Sequence, residues 1–422
     1  MSVVARTADG RVDWAAPTMG ARVQKRYKKE RRFRRLGLAA LAAALGFLAF
    51  LLFTIISNGI GGFSRAEVPL TVTYDAAALG LSPTFLSGDG RDAAINRADF
   101  RSLTARAIEA EHGDANVVSG SAWLLLRDRL RANPELLGTS EDLWVVAASE
   151  IDLLAKGQID LDLPPERRAV DPETIADYRD LLAEDRVRMA FNTGFLTSAD
   201  STSSELAGIW GALVGSVLTM MITLAISFPI GVMTAVYLEE YAPKNRWTDI
   251  IEVSINNLAA VPSIIFGLLG LAVFLNTFGM PRSAPVVGGL TLALMTLPVI
   301  VIAARVALQS VPPSIRDAAL GVGASRFQVI THHILPLALP GILTGTIIGL
   351  SRALGETAPL LLIGMRAFVA DVPDGVTQPA TVLPVQIYLW SDEVGRGFIE
   401  KTSAAIMVLL AVLLSMNGVA IY

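Results

Sequence analysis

Gln309-Ser310-Val311-Pro312-Pro313-Ser314-Ile315-Arg316-Asp317-Ala318-Ala319-Leu320-Gly321-Val322-Gly323 is the stretch on which the fold turns. It lies between two long apolar runs, 285–308 before it and a second that opens with Leu335-Pro336. Arg316, Arg326, His332 and His333 make the connection basic, and basic loops between spans stay in the cytoplasm. Its composition predicts two short helices joined by a small-residue turn, a compact knob in which Gly323 permits the turn or a close backbone approach. Such a knob is shaped to seat in a groove of a soluble partner.

The chain around this loop has a membrane composition. Of 422 residues, 52% are hydrophobic and 18% charged. The mean hydropathy is +0.51, and soluble domains carry about 25% charge. The formal net charge of −4 says little, because the charge is unevenly placed. There is no Cys and only three His, which excludes disulfides, thiolate metal sites and Cys nucleophiles. No cofactor or metal is expected.

Residues 1–35 form a basic tail, with Arg22, Lys25, Arg26, Lys28, Lys29, Arg31, Arg32, Arg34 and Arg35 in one run. Alone, such a run reads as a solvated tail or a nucleic-acid patch. Here it abuts residues 36–57, an uncharged stretch of bilayer-spanning length, so the N-terminus is expected in the cytoplasm and no nucleic acid is expected. A secretory signal would be shorter and followed by a small-residue cleavage site. Residues 58–203 hold most of the Asp and Glu and no spanning run. Leu70, Val72 and Tyr74 alternate as in a strand; Phe100, Leu103, Ala107 and Ile108 have helical spacing; 171–184 reads as a helix with Pro172 in its first turn. This predicts a small α+β insertion outside the membrane, a separate folding unit that a linker could replace. Lys28 is expected inside and Asp114 outside.

Residues 204–422 read as five further spans, at about 206–238, 251–277, 285–308, 336–364 and 402–422, with the knob in 309–336. The fold class is an all-α membrane protein of six transmembrane helices, with both termini in the cytoplasm of a bacterial inner membrane. In the fifth span Gly341, Gly345 and Gly349 form a small-xxx-small ridge that lets two helices approach closely. At about 100° per residue, Arg352 and Glu356 fall on that same face. A charge at mid-bilayer costs on the order of 2.5–3.5 kcal/mol, so the pair is a candidate pathway site. The competing reading is a structural ion pair. Asn256 and Asn257 are candidates for interhelical hydrogen bonds or, for Asn257, the pathway. Pro262 and Pro298 read as kinks, Thr219 and Thr223 as residues bonding back to their own helix, and Arg305 as a side chain snorkelling to the interface.

Arg316-Asp317-Ala318-Ala319-Leu320-Gly321-Val322-Gly323, followed by Leu335-Pro336, resembles the EAA loop of ABC importer permeases. Asp317 stands where Glu is usual and His333 where Ile is expected. Three further segments narrow the resemblance: 257–267 (Asn257 to Gly267), 229–242 with Tyr237-Leu238-Glu239-Glu240-Tyr241, and 352–361 with Gly355-Glu356-Thr357-Ala358-Pro359. Together they are similar to the phosphate-uptake permeases PstA and PstC, leaning to PstA in an extended form with an outer insertion; the resemblance covers roughly residues 190–422. It implies a type-1 ABC importer permease core and a pathway for inorganic phosphate. It also implies four kinds of partner: a PstC-type second permease, a PstB-type ATPase dimer docked on the knob, a PstS-type periplasmic phosphate-binding protein, and the lipid bilayer. The chain carries no G-x-x-x-x-G-K-[ST], so ATP hydrolysis belongs to the partner and the chain is not itself an enzyme. Competing readings are a permease for molybdate or sulfate, an intramembrane enzyme, for which no catalytic pair is found at depth, and a membrane-anchored scaffold, which would not need five more spans.

Overall fold

The computed structural model describes residues 17–81, 90–113, 115–161, 164, 170–365 and 368–421. Asp114 and residues 1–16 of the basic tail lie outside the described residues. The chain forms two compact units, Met1–Ser57 and Asn58–Tyr422. The first is dominated by helix α1, Pro17–Gly59, in which the basic run and the apolar run are one continuous helix. The Leu and Phe side chains along it are exposed, as lipid-facing side chains are.

In the second unit the inserted segment builds an antiparallel sheet from β1 (Ser64–Thr73), β2 (Ser140–Val146) and β3 (Arg188–Phe191) in the order β2-β1-β3. Alternation decides which face of β1 is buried. Val68, Leu70, Val72 and, just past the strand, Tyr74 are all fully buried. They pack with Phe100, Leu103 and Ile108 of α2 (Phe100–His112), and with Leu126 and Leu130 of α3 (Ala122–Ala132). Ile151 of α4 (Ser149–Ala155) and Ile175 of α5 (Pro172–Ala183) complete this core. Pro172 occupies the first turn, where its missing N–H is no loss.

The remaining helices of eight residues or more are α6 (Trp210–Val236), α7 (Arg246–Ala259), α8 (Ser263–Gly270), α9 (Pro285–Gln309), α10 (Pro313–Gly321), α11 (Leu335–Leu354), α12 (Leu383–Ser391) and α13 (Arg396–Ile421). Among the described residues five helices are long and apolar enough to cross a membrane, and six if the bent pair α7 and Ser263–Thr277 counts as one. That pair differs from the straight span expected over 251–277: it bends by 98°. The cause is Pro262, which has no N–H to continue a helical ladder and pushes Val261 out of the α region. The span expected over 336–364 likewise ends at Leu354, where Gly355 starts a break before the short helix Ala358–Leu362.

The insertion is tied to α13 through buried charge. Lys156 lies 2.7 Å from Asp152 and 2.9 Å from Glu400, and the Gln158 amide also donates to Glu400. Asp152 in turn accepts from the Ala66 N–H. Glu400 is 3% exposed and Lys401 2%, with the Lys401 ammonium over the Phe195 ring and donating to the Gly62 carbonyl. The insertion and the helices after it therefore share one compact unit. Replacing 66–195 by a linker removes Lys156, Gln158 and Phe195 together, and with them partners and cover of Glu400 and Lys401 on α13. Breaking a buried pair costs about 3–5 kcal/mol. The deletion is expected to abolish folding in the membrane, and Glu400→Ala alone to lower the thermal midpoint of the purified protein sharply. A midpoint within error of wild type for Glu400→Ala would show that the junction carries no stability.

Candidate functional site

The knob is built as its residues dictate. Pro313 opens α10, and Ala319 is buried against Val329, Ile330 and Ile334. Gly323 has φ +91°, a conformation that disfavours any side chain. Ser325 then caps the next short helix, Arg326–Val329, in a reciprocal box with Gln328. A wide turn over Ile330–Ile334 leads into α11, because Pro336 cannot donate to the carbonyl of His332. Leu335 and Pro336 thus open the next span, and Arg316, Asp317, Ala318, Ala319 and Gly323 all lie in the knob. Asp317 and Ala318 are exposed. So are Leu320, Val322 and Phe327, with Val322 at 86%. The tip of the knob therefore presents apolar side chains beside a carboxylate at the surface.

Behind the knob, α9 and α11 run antiparallel along a seam of small residues. A Cβ built at Gly341 would lie 3.0 Å from the Ala307 Cβ, one at Gly345 only 2.3 Å from the Ala303 Cβ, and one at Gly349 3.4 Å from Thr296 Cγ2. The three glycines expected to form a packing ridge do face a single helix, in steps of four.

Arg352 ends this seam. Its Nε lies 3.7 Å from Glu356 Oε1, an ion pair longer than a hydrogen bond. Glu356 sits beyond the end of α11, so the pair spans a helix break and not one turn of helix. The Arg352 side chain is 61% exposed and Glu356 19%. Arg352 also borders a cavity of about 10 Å³ with Thr296, Val299, Gly349, Ala259, Val261 and Phe266. That is room for about one water. Asn257 is exposed and its neighbours Leu258 and Ala259 line the cavity instead, so Asn257 is not brought together with Arg352. Thr223 bonds back to the Thr219 carbonyl as expected, and also to the Gly289 carbonyl of α9 at 3.2 Å.

Arg305 departs from expectation. It does not snorkel to water: it lies 2.6 Å from Glu239 and 2.8 Å from Glu252 and is 19% exposed. These carboxylates, with Glu240, are not among the site residues expected from the sequence. A signal for them exists: two adjacent acids at the end of a span where the positive-inside rule expects Lys or Arg.

Apolar helices of membrane-spanning length, together with the family match that follows, make this a multi-pass inner membrane protein. The chain belongs to the family of binding-protein-dependent transport system inner membrane components, whose model matches residues 227–421. Residues 20–165 match a domain of unknown function, DUF3333. The chain is 34% identical over 206 residues to a Bacillus subtilis (strain 168) protein named as a probable ABC transporter permease, YqgI, covering 46% of this chain and 69% of that one. It is 33% identical over 208 residues to the phosphate transport system permease protein PstA 1 of Mycobacterium tuberculosis (strain CDC 1551 / Oshkosh), covering 49% of this chain and 67% of that one. An inward-facing methionine ABC transporter structure overlaps 50% of this chain and 91% of its own at 18% identity, with a TM-score of 0.38.

The seam makes a sharp prediction. Gly345→Ala places a methyl against Ala303 and is expected to destabilise by about 1–3 kcal/mol, the usual cost of overpacking. Ala303→Gly in the same chain is expected to restore the loss, read as the thermal midpoint in detergent. A Gly345→Ala midpoint equal to wild type would mean the helices are not in close contact.

Proposed function

We propose that this chain is the permease subunit of an ABC importer for inorganic phosphate. The family implies an ATPase and a substrate-binding protein as partners, and relatives matching over this core are named as PstA phosphate permeases. In this reading the partners are a PstC-type permease, a PstB-type ATPase dimer and a PstS-type binding protein. The basic N-terminal run and the basic knob lie in the cytoplasm, the insertion lies outside, and the knob tip around Asp317, Val322 and Phe327 seats in the ATPase.

The observation that carries the substrate reading is the state of Arg352. Arg305 and Arg316 are each held by carboxylates at hydrogen-bonding distance. The Arg352 guanidinium makes no hydrogen bond among the described residues, and its only carboxylate there, Glu356, stands off at 3.7 Å. Its planar fork of donors remains available to an oxyanion, and arginine matches that geometry bidentately. Glu356 keeps the guanidinium oriented without consuming its donors and opposes retention of the anion.

Arg352→Ala is expected to abolish phosphate uptake into proteoliposomes holding the assembled complex. Arg352→Lys is expected to be impaired, because a point charge lacks the fork. Glu356→Gln is expected to be milder than Arg352→Ala. Uptake near wild type in the double variant Arg352→Met/Glu356→Leu would reduce the pair to a structural salt bridge. Parallel assays with molybdate and sulfate decide the anion. At the knob, Gly323→Trp is expected to leave the spans folded but to uncouple uptake from ATP hydrolysis; wild-type uptake by that variant would remove the knob from the coupling path.

A further inference from the structure

Glu239 and Glu240 close the apolar run of α6 in a wide helical turn, Tyr237–Tyr241. Both are mostly buried, at 15% and 12% exposure. Neither faces the cavity beside Arg352. Each holds an arginine from a different part of the chain. Glu240 accepts from Arg316 Nε at 3.1 Å and Nη2 at 2.8 Å. Arg316 belongs to α10, the first helix of the knob. The same guanidinium donates to the Val311 carbonyl at 2.8 Å and the Leu308 carbonyl at 3.1 Å. It therefore caps the end of α9 while gripping the end of α6. Glu239 accepts from Arg305 at 2.6 Å and from the Gln309 amide at 3.0 Å, and Arg305 reaches Glu252 of α7 at 2.8 Å. The ends of α6 and α9, the middle of α7 and the knob thus meet in one charged joint.

Resting on the reading of this chain as an ATP-driven permease, we infer that Glu240 is a positioning residue for transport: through Arg316 it fixes the knob to α6, so that a push on the knob moves α6 and α9 as one body. The knob is joined covalently to α9, through Ser310–Pro312, and to α11, but not to α6. Apolar packing also holds α6 against α9 and the knob, but Glu240–Arg316 is the directional, charge-paired attachment between the knob and the end of α6. The contact is short, doubly hydrogen-bonded and shielded, unlike an exposed ion pair of little worth. Glu239 is the weaker of the two, because Arg305 keeps Glu252 when Glu239 is lost.

The test uses the complete complex with its ATPase and binding protein in proteoliposomes. Glu240→Gln is expected to leave ATP hydrolysis in place while uptake per ATP falls about 5- to 150-fold, the range of a lost coupling free energy. Glu239→Gln is expected to fall less. The double variant Glu240→Gln/Arg316→Gln is expected to lose no more than Arg316→Gln alone, the non-additivity of two residues that act as a pair. The chain has no Cys, so spin labels at Ser314→Cys and Met233→Cys report the distance from knob to α6. In the wild-type background one distance is expected in both nucleotide-free and vanadate-trapped states; with Glu240→Gln the two states are expected to differ. The distance needs no substrate, so absence of phosphate uptake by the wild-type complex bears on the anion alone. Unchanged uptake per ATP in Glu240→Gln, or a wild-type distance that itself changes on trapping, would overturn the inference.

Discussion

The absence of a side chain at Gly345 is the constraint on which the transmembrane core depends. Lipid tails are as apolar as leucine, so helices in a bilayer gain little from hiding apolar surface and associate by close packing and interhelical hydrogen bonds. Here α9 takes that role. On one side it meets the glycines of α11; on the other, a Cβ at Gly289 would lie 2.6 Å from Ile222 of α6, and one at Gly231 of α6 would lie 2.7 Å from Ile300. The Thr223 hydroxyl bridges the same interface. Three helices are held at backbone contact, with α9 in the middle.

Charge is excluded from this packed middle and collects at its joints. Arg305, Arg316 and the three glutamates lie where α6 and α9 end beside the middle of α7. Glu400 and Lys401 lie where α13 meets the insertion. Arg352 and Glu356 lie where α11 breaks. The first two clusters are satisfied by direct partners, as buried charge must be to persist. The last is not: Glu356 stands 3.7 Å from Arg352, which borders a small cavity between helices. On the proposed reading, that difference separates joints that hold the fold from a site that handles an ion.

Much of this was legible from periodicity and composition. The strand through Leu70, Val72 and Tyr74, the helices at Phe100 and Pro172, the knob and the glycine seam all follow from residues close in sequence. What escaped is non-local. Glu240 and Arg316 are 76 residues apart, and Lys156 and Glu400 are 244 apart; no local pattern announces such pairs. The insertion looked detachable because its own core is complete, while its attachment rests on a few buried side chains. The 98° bend was present in the sequence as Pro262, but the apolar run continues through it, and hydropathy does not distinguish a straight span from a broken one.

The two helix breaks are not independent. A Cβ at Gly267, in α8 just after the bend, would lie 2.6 Å from the Pro359 Cα, in the short helix just after the break in α11. Both breaks face the Arg352 cavity, one through Ala259 and Val261, the other through Arg352 itself. Between the knob and this cavity lies the seam, from Ala307 to Thr296, roughly 16 Å at 1.5 Å per residue. A close-packed ladder of that length has little give. Broken helices do, because their backbone groups are not tied into one continuous set of hydrogen bonds. On the proposed reading, a displacement at the knob would be carried along the seam with little loss and taken up where the chain is already broken, at the walls around Arg352. Stiffness in the seam and compliance at the cavity are together what would let a distant hydrolysis event change the surroundings of one guanidinium.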